Sequence, residues 1–222
     1  MTTYIGAVFH DSAVSRLLEL AAVCRRDPSR TLEDEIARFC RTVRESPQAD
    51  WAMPIAAVAA LLDLVSNEVE QVDPATLSAG FAALLAEAAG DVPAPAFLRQ
   101  LSAALRGQGQ KPVPDFGRLP MAPWEAELKF GRIHQFWWWV ESGEYEDFDE
   151  GVRAGVAAEH PHGCRVALAG LAAELQEALL LFPTPAVPSA PVAGLAATAP
   201  WASAPVLRAI LAAVHTHIDE EH

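Results

Sequence analysis

Apolar positions recur along this chain at helical spacing, and polar, proline and glycine punctuation divides them into nine predicted helices. Asp11 or Ser12 can cap a first helix reaching Arg26, with Val14, Leu17, Leu18, Ala21 and Cys24 on one face, and Asp27-Pro28 breaks it. Thr31 starts a second, where TLED reads as a capping box with a shorter acid. Leu32, Ile36, Phe39, Cys40 and Val43 keep its period, and Pro47 ends it. Asp50 caps a third helix to about Glu70, whose apolar content all round predicts a central, buried position. Asp73-Pro74 opens a fourth with Leu77, Phe81, Leu84, Leu85 and Ala88, stopped by Gly90. Pro95 opens a fifth with Phe97, Leu98, Leu101, Ala104 and Leu105, stopped by Gly107.

The second half follows the same logic. Residues 108–122, rich in Gly, Pro and Gln, read as a loop. Pro123 starts a sixth helix to about Ser142, and a short helix spans about Asp149 to Glu159. Pro161 opens a long one with Cys164, Leu168, Leu171, Leu175, Ala178, Leu179 and Phe182 on one seam. The stretch 183–202 contains Pro183, Pro185, Pro188, Pro191 and Pro200, which predicts an extended wrap or linker rather than a regular helix. Ser203 caps the last helix, with Leu207, Ile210, Leu211, Val214 and Ile218 facing inward. Tyr4 to Phe9 has strand character but is too isolated to form a sheet. The expected fold is all-α, an irregular multi-helix bundle of about eight to nine helices with a Pro-rich segment before the last. It is read as a single helical domain over residues 1–222, divisible into N-terminal helices 1–107 and C-terminal helices 123–222 joined by the 108–122 loop.

Composition narrows the function classes. Hydrophobic residues make up 51% of the 222, enough for a sizeable core. Alanine and arginine are frequent while Lys111 and Lys129 are the only lysines, a usage expected of a GC-rich bacterial genome. The net charge of −13 repels phosphate backbones and anionic membrane surfaces and attracts a basic protein. The N-terminus has neither a basic start nor a long apolar run, and the most apolar stretch, Trp51 to Val65, contains Pro54 and Asp63. A cytoplasmic protein without a signal peptide or membrane span is expected. Cys24, Cys40 and Cys164 are too few and too odd in number for a disulfide scaffold and read as reduced thiols.

One segment stands out chemically: FWWWVESGEYEDFDE, Phe136 to Glu150. Phe130, Ile133, Trp137 and Val140 share one helical line and read as core, whereas Trp138 and Trp139 fall on others. Three consecutive indoles sweep about 200° of helix, more than one buried stripe covers. Beside Trp138 and Trp139 lie Tyr145, Phe148 and the acids Glu141, Glu144, Glu146, Asp147, Asp149 and Glu150. Aromatic anchors ringed by charge are the material of binding hot spots, and the acids would steer a basic partner. The expectation is therefore a protein-interaction module for a basic protein, immunity- or adaptor-like. The likeness to helical immunity proteins that neutralise basic nucleases is one of surface chemistry, not of sequence.

The alternative is a helical enzyme or biosynthetic accessory protein with an interior pocket, metal-dependent through His and Cys. His160, His162 and Cys164 have the donor types for zinc or copper. If Pro161 is the first helical residue, His160 and Cys164 share a side while His162 is turned about 200° from His160, so three ligands converge only from a non-helical start. A thiolate at Cys164 would also gain from the helix N-terminus. His215, Asp219 and His222 share a line on the last helix, where histidine is favoured by the dipole alone. His134 and Glu141 form an acid–base pair only if their face lines a pocket. No metal or cofactor is expected from the spacing, and catalytic residues are not identified. GxSxG, P-loop, GxGxxG, HExxH, CxxC and calcium-loop patterns are all absent.

Overall fold

The computed structural model describes residues 12–45, 53–73, 76–158, 160–181 and 193–222. Asp11, Pro47, Asp50, Phe182, most of the proline-rich stretch and the Tyr4–Phe9 segment lie outside them. Among the described residues the protein is all-α, with eleven helices rather than eight or nine. Its internal contacts divide it into two compact units, Met1–Pro114 and Asp115–His222.

The first unit holds α1 (Ala13–Arg26), α2 (Leu32–Glu45), α3 (Ile55–Gln71), α4 (Ala79–Ala89) and α5 (Ala94–Gly109). The first two starts follow their polar caps. Ser12 Oγ accepts from the Ser15 N–H at 3.3 Å, and Thr31 Oγ1 accepts from the Asp34 N–H at 3.1 Å. Leu17, Leu18, Phe39, Leu62, Leu98, Leu101 and Leu105 are wholly or almost wholly buried. Helices α3 and α5 pack closely, tied by the Ser102 hydroxyl donating to the Ala59 carbonyl at 2.8 Å and the Ser66 hydroxyl to that of Pro95 at 2.9 Å. Arginines close two helix ends. Arg25 donates to the Ala88 and Ala89 carbonyls at 3.2 and 2.6 Å, and Arg44 to those of Gly109 and Lys111 at 2.5 and 3.2 Å. On α2, Glu35 is buried and accepts from Arg30 and Arg38, both at 2.8 Å.

Three expectations fail in this unit. Helix α3 is not buried all round: Val58, Ala59, Leu62, Val65 and Ser66 face inward, while Leu64 is exposed. Its abundant alanines lose little by meeting water, so apolar content overstated burial. Helix α4 begins at Ala79 with Ser78 as N-cap, not after Asp73-Pro74. Gly107 does not stop α5, which continues to Gly109; a helical interior tolerates one glycine at a cost of about 1 kcal/mol.

The second unit holds α6 (Pro123–Lys129), α7 (Gly131–Glu141), α8 (Phe148–Ala157), α9 (Cys164–Leu181), α10 (Ala193–Thr198) and α11 (Ala204–Glu221). The predicted sixth helix is thus two, broken at Phe130, whose φ of −117° and ψ of 40° are not helical. What makes the break tolerable is tertiary. Glu174 Oε2 on α9 accepts from the backbone N–H groups of Arg132 and Ile133 at 2.9 and 3.2 Å, capping the new helix start. The stretch 183–202 also contains a helix after all, in the proline-free segment between Pro191 and Pro200. Pro161 does not open α9; the residues before Cys164 form turns.

The core of this unit gathers Phe130, Ile133, Phe136, Val152, Val156, Cys164, Leu168, Leu171, Leu175, Leu195, Leu207, Ile210 and Val214. Helices α7 and α8 approach so closely that a Cβ on Gly151 would stand 1.9 Å from the Trp139 carbonyl oxygen. Among the described residues of the chain, no single helix is long and apolar enough to cross a membrane.

Candidate functional site

The buried line of α7, Ile133 and Phe136, decides which aromatic rings meet water. Phe130, Ile133 and Phe136 face the core, so the expected core position of Trp137 is overturned: Trp137 is 46% exposed and Trp138 47%. Their ring centroids lie 6.1 Å apart at an interplanar angle of 58°. Trp139 is half-buried, packed on the core and 5.8 Å from the half-buried ring of Tyr145.

The acids divide in the same way. Glu141, Glu144, Glu146, Asp147 and Asp149 are exposed and Glu150 is half-buried. Asp147 is the N-cap of α8, accepting from the Glu150 N–H at 2.8 Å, while Glu150 Oε2 accepts from the Glu146 N–H at 2.8 Å. Asp147 and Glu150 are thereby both engaged in shaping the start of α8. Glu141, Glu144, Glu146 and Asp149 are the exposed carboxylates of the stretch that lie outside this cap.

His134 is structural in its contacts. Its Nδ1 donates to the Phe130 carbonyl at 2.8 Å and its Nε2 lies 2.7 Å from Thr198 Oγ1, tying α10 to α7. Both ring nitrogens are occupied, so the acid–base pairing with Glu141 has no free nitrogen to use.

The histidines and cysteine near the start of α9 form a second site. His160 sits in the turn before α9, and Cys164 is its first residue, wholly buried. Facing them are His217, on the last turns of α11, and His222, just past its end. Cys164 Sγ lies 3.3 Å from His217 Nε2 and 3.8 Å from His160 Nδ1. One donor atom from each of the four residues lies within 4.8 Å of every other. The imidazole centroids make a nearly equilateral triangle with sides of 5.3, 5.6 and 5.8 Å.

No protein-family model, curated protein or solved structure matches this chain. The sites are therefore read from their chemistry alone.

Of the sequence candidates, His160 and Cys164 meet, and His162 does not join them; it is exposed to solvent. His215, expected to line up with His222, is exposed as well. The residue missed was His217. Its signal was available: it follows Val214 by three and so continues the buried line Leu207, Ile210, Val214. All three cysteines are free. Burial raises the Cys40 thiol to about 11, and burial, with Glu35 next, also raises that of Cys24.

Proposed function

We propose that the chain is a recognition module of the immunity or adaptor kind, which binds a basic segment of a protein partner through α7 and the acidic turn after it. The observation that carries the reading is the adjacent pair of half-exposed indoles, Trp137 and Trp138. Large apolar rings on a surface are candidate anchors, and an indole face also attracts a guanidinium or ammonium group. Glu141, Glu144, Glu146 and Asp149 supply negative charge just beyond the rings, within a chain of net charge −13. That field accelerates approach of a cation, while the rings hold it after water is expelled. Trp139 and Tyr145 support the platform by packing rather than by contact with the partner.

Synthetic peptides test this, one rich in arginine and leucine and one of equal length with the arginines replaced by glutamate. The basic peptide is expected to quench or shift tryptophan fluorescence, with an on-rate that falls as salt rises. Trp138→Ala should weaken binding about thirtyfold, the scale of a hot-spot residue. Equal binding of both peptides, or unchanged affinity in a Trp137→Ala/Trp138→Ala variant, refutes the reading.

A further inference from the structure

We propose that His160, Cys164, His217 and His222 form a tetrahedral zinc site that clamps the end of α11 onto the start of α9. This inference stands on different residues from the recognition surface and does not depend on it.

The donor set comes first. One thiol and three imidazoles match the borderline-soft preference of Zn(II), and four protein donors describe a closed, structural site. Oxygen-seeking ions such as calcium or magnesium find no carboxylate in the group.

Geometry agrees. With Zn–N of about 2.0–2.1 Å and Zn–S of about 2.3 Å, tetrahedral donors lie roughly 3.3–3.6 Å apart. Two of the three sulfur–nitrogen separations are 3.3 and 3.8 Å, and every pair of donors falls within 4.8 Å. Closing the remaining gap takes small rotations of His160 and His222, which are exposed and so free to turn. The three rings are tilted or edge-on to one another, at 87°, 39° and 73°, and none is stacked parallel on another.

The placement of each ligand has a local cause. Cys164 opens the seam continued by Leu168, Leu171 and Leu175, and His217 closes the one running through Leu207, Ile210 and Val214. The two seams pack against each other, which brings their ends together. His160 reaches the same point because the chain before Cys164 is not helical. His222 reaches it as the residue that follows the last turn of α11. Burial is graded, with Cys164 inside, His217 half-buried and the other two at the surface, which leaves a path for the ion to enter. The pattern is His-x3-Cys and His-x4-His, two ligands from each side, 53 residues apart at Cys164 and His217.

The test uses the full chain without a histidine tag, stripped by chelator and reloaded with zinc or cobalt(II). One equivalent of zinc per chain is expected. Cobalt should give intense tetrahedral bands in the visible and a thiolate-to-cobalt charge-transfer band in the near ultraviolet. Cys164→Ser should abolish that charge-transfer band. His217→Gln should weaken zinc by more than the roughly 10–100-fold that loss of an outer-shell partner costs. His160→Gln, at an exposed position, repeats the measurement where folding is not at risk. Zinc should raise the melting temperature of the wild type and not that of His217→Gln. His162→Gln and His215→Gln, outside the cluster, should bind zinc as the wild type does. Substoichiometric zinc, a cobalt spectrum without thiolate charge transfer, or equal loss in the two control variants overturns the site.

Discussion

Replacing Gly151 with alanine should destabilise the protein, although the same change in a helix usually stabilises it. Gly151 lies on α8 against α7, where an added Cβ would stand 1.9 Å from the Trp139 carbonyl oxygen and 3.1 Å from its carbon. Ordinary carbon–oxygen contact needs more than an ångström beyond the first distance, and the obstacle is backbone, which cannot rotate away. The two helices must part. Overpacking of this kind costs about 3 kcal/mol at the upper end of its usual range. The better helix propensity of alanine returns about 1 kcal/mol. The net loss is therefore about 2 kcal/mol, or about 4–8 °C in Tm for a chain of this size. Gly155→Ala should cost less, because its Cβ would meet the Trp139 and Phe136 rings at 2.6 and 2.8 Å and rings can tilt. Gly107→Ala, inside α5 with no heavy atom within 4 Å, should instead gain about 0.5–1 kcal/mol. Thermal melts followed by circular dichroism rank the three. A Gly151→Ala protein as stable as the wild type would mean that α7 and α8 do not touch there, and the placement of the exposed indoles would lose its support.

Three further outcomes follow from buried polar groups. Burial raises the carboxyl of Glu174 above its ordinary value, against the pull of the Ile133 and Arg132 N–H groups and the Arg132 guanidinium. An acid whose folded pKa is raised favours the fold when protonated and loses that contribution as pH rises through the folded value. Glu174→Gln keeps an oxygen to cap α7, so its stability relative to the wild type should increase between pH 4 and pH 7; a pH-independent difference in urea melts contradicts this. Glu35→Ala removes the acceptor shared by Arg30 and Arg38 and should cost about 2–3 kcal/mol, less than a fully enclosed pair because the side chains of both arginines remain 28% and 16% exposed. Alkylation near pH 8 should find Cys40 inert, its thiol held at about 11 by burial, and any native-state labelling should fall first on the half-buried Cys24; labelling of Cys40 before Cys24 contradicts the packing around α2.

Local signals carried the helices that own their caps. Ser12 and Thr31 announced α1 and α2, and the lines Cys164–Leu168–Leu171–Leu175 and Leu207–Ile210–Val214 announced the faces of α9 and α11. The misses came where a distant residue settled the matter. The end of α6 at Phe130 depends on Glu174 capping α7 from more than forty positions away, and no window around Phe130 contains that information. Trp137 was misplaced for a local reason: it follows Ile133 by four and Phe136 follows Ile133 by three, and of these two neighbouring lines the one through Phe136 faces the core. The metal-ligand cluster was half legible. His160 and Cys164 attract notice as neighbours, but a thiol and an imidazole 53 residues apart become partners only when two seams pack.

The recognition face and the zinc clamp belong to the same unit but draw on separate elements, α7 with the turn after it for one and the ends of α9 and α11 for the other. Helices α8 and α9 touch both neighbourhoods through the shared core, so a metal that merely stiffened the whole unit would affect peptide binding too. The clamp acts at the ends of two helices, where two of its four ligands are exposed. Its loss should fray the last turns of α11 and leave the indole pair where it is. A double-mutant cycle distinguishes the two cases. His217→Gln and Trp138→Ala should combine additively, within about 0.5 kcal/mol, for both zinc and peptide binding. A coupling energy well above that limit, measured by calorimetry on the four proteins, would show that the metal organises the recognition face and that the two sites form one device.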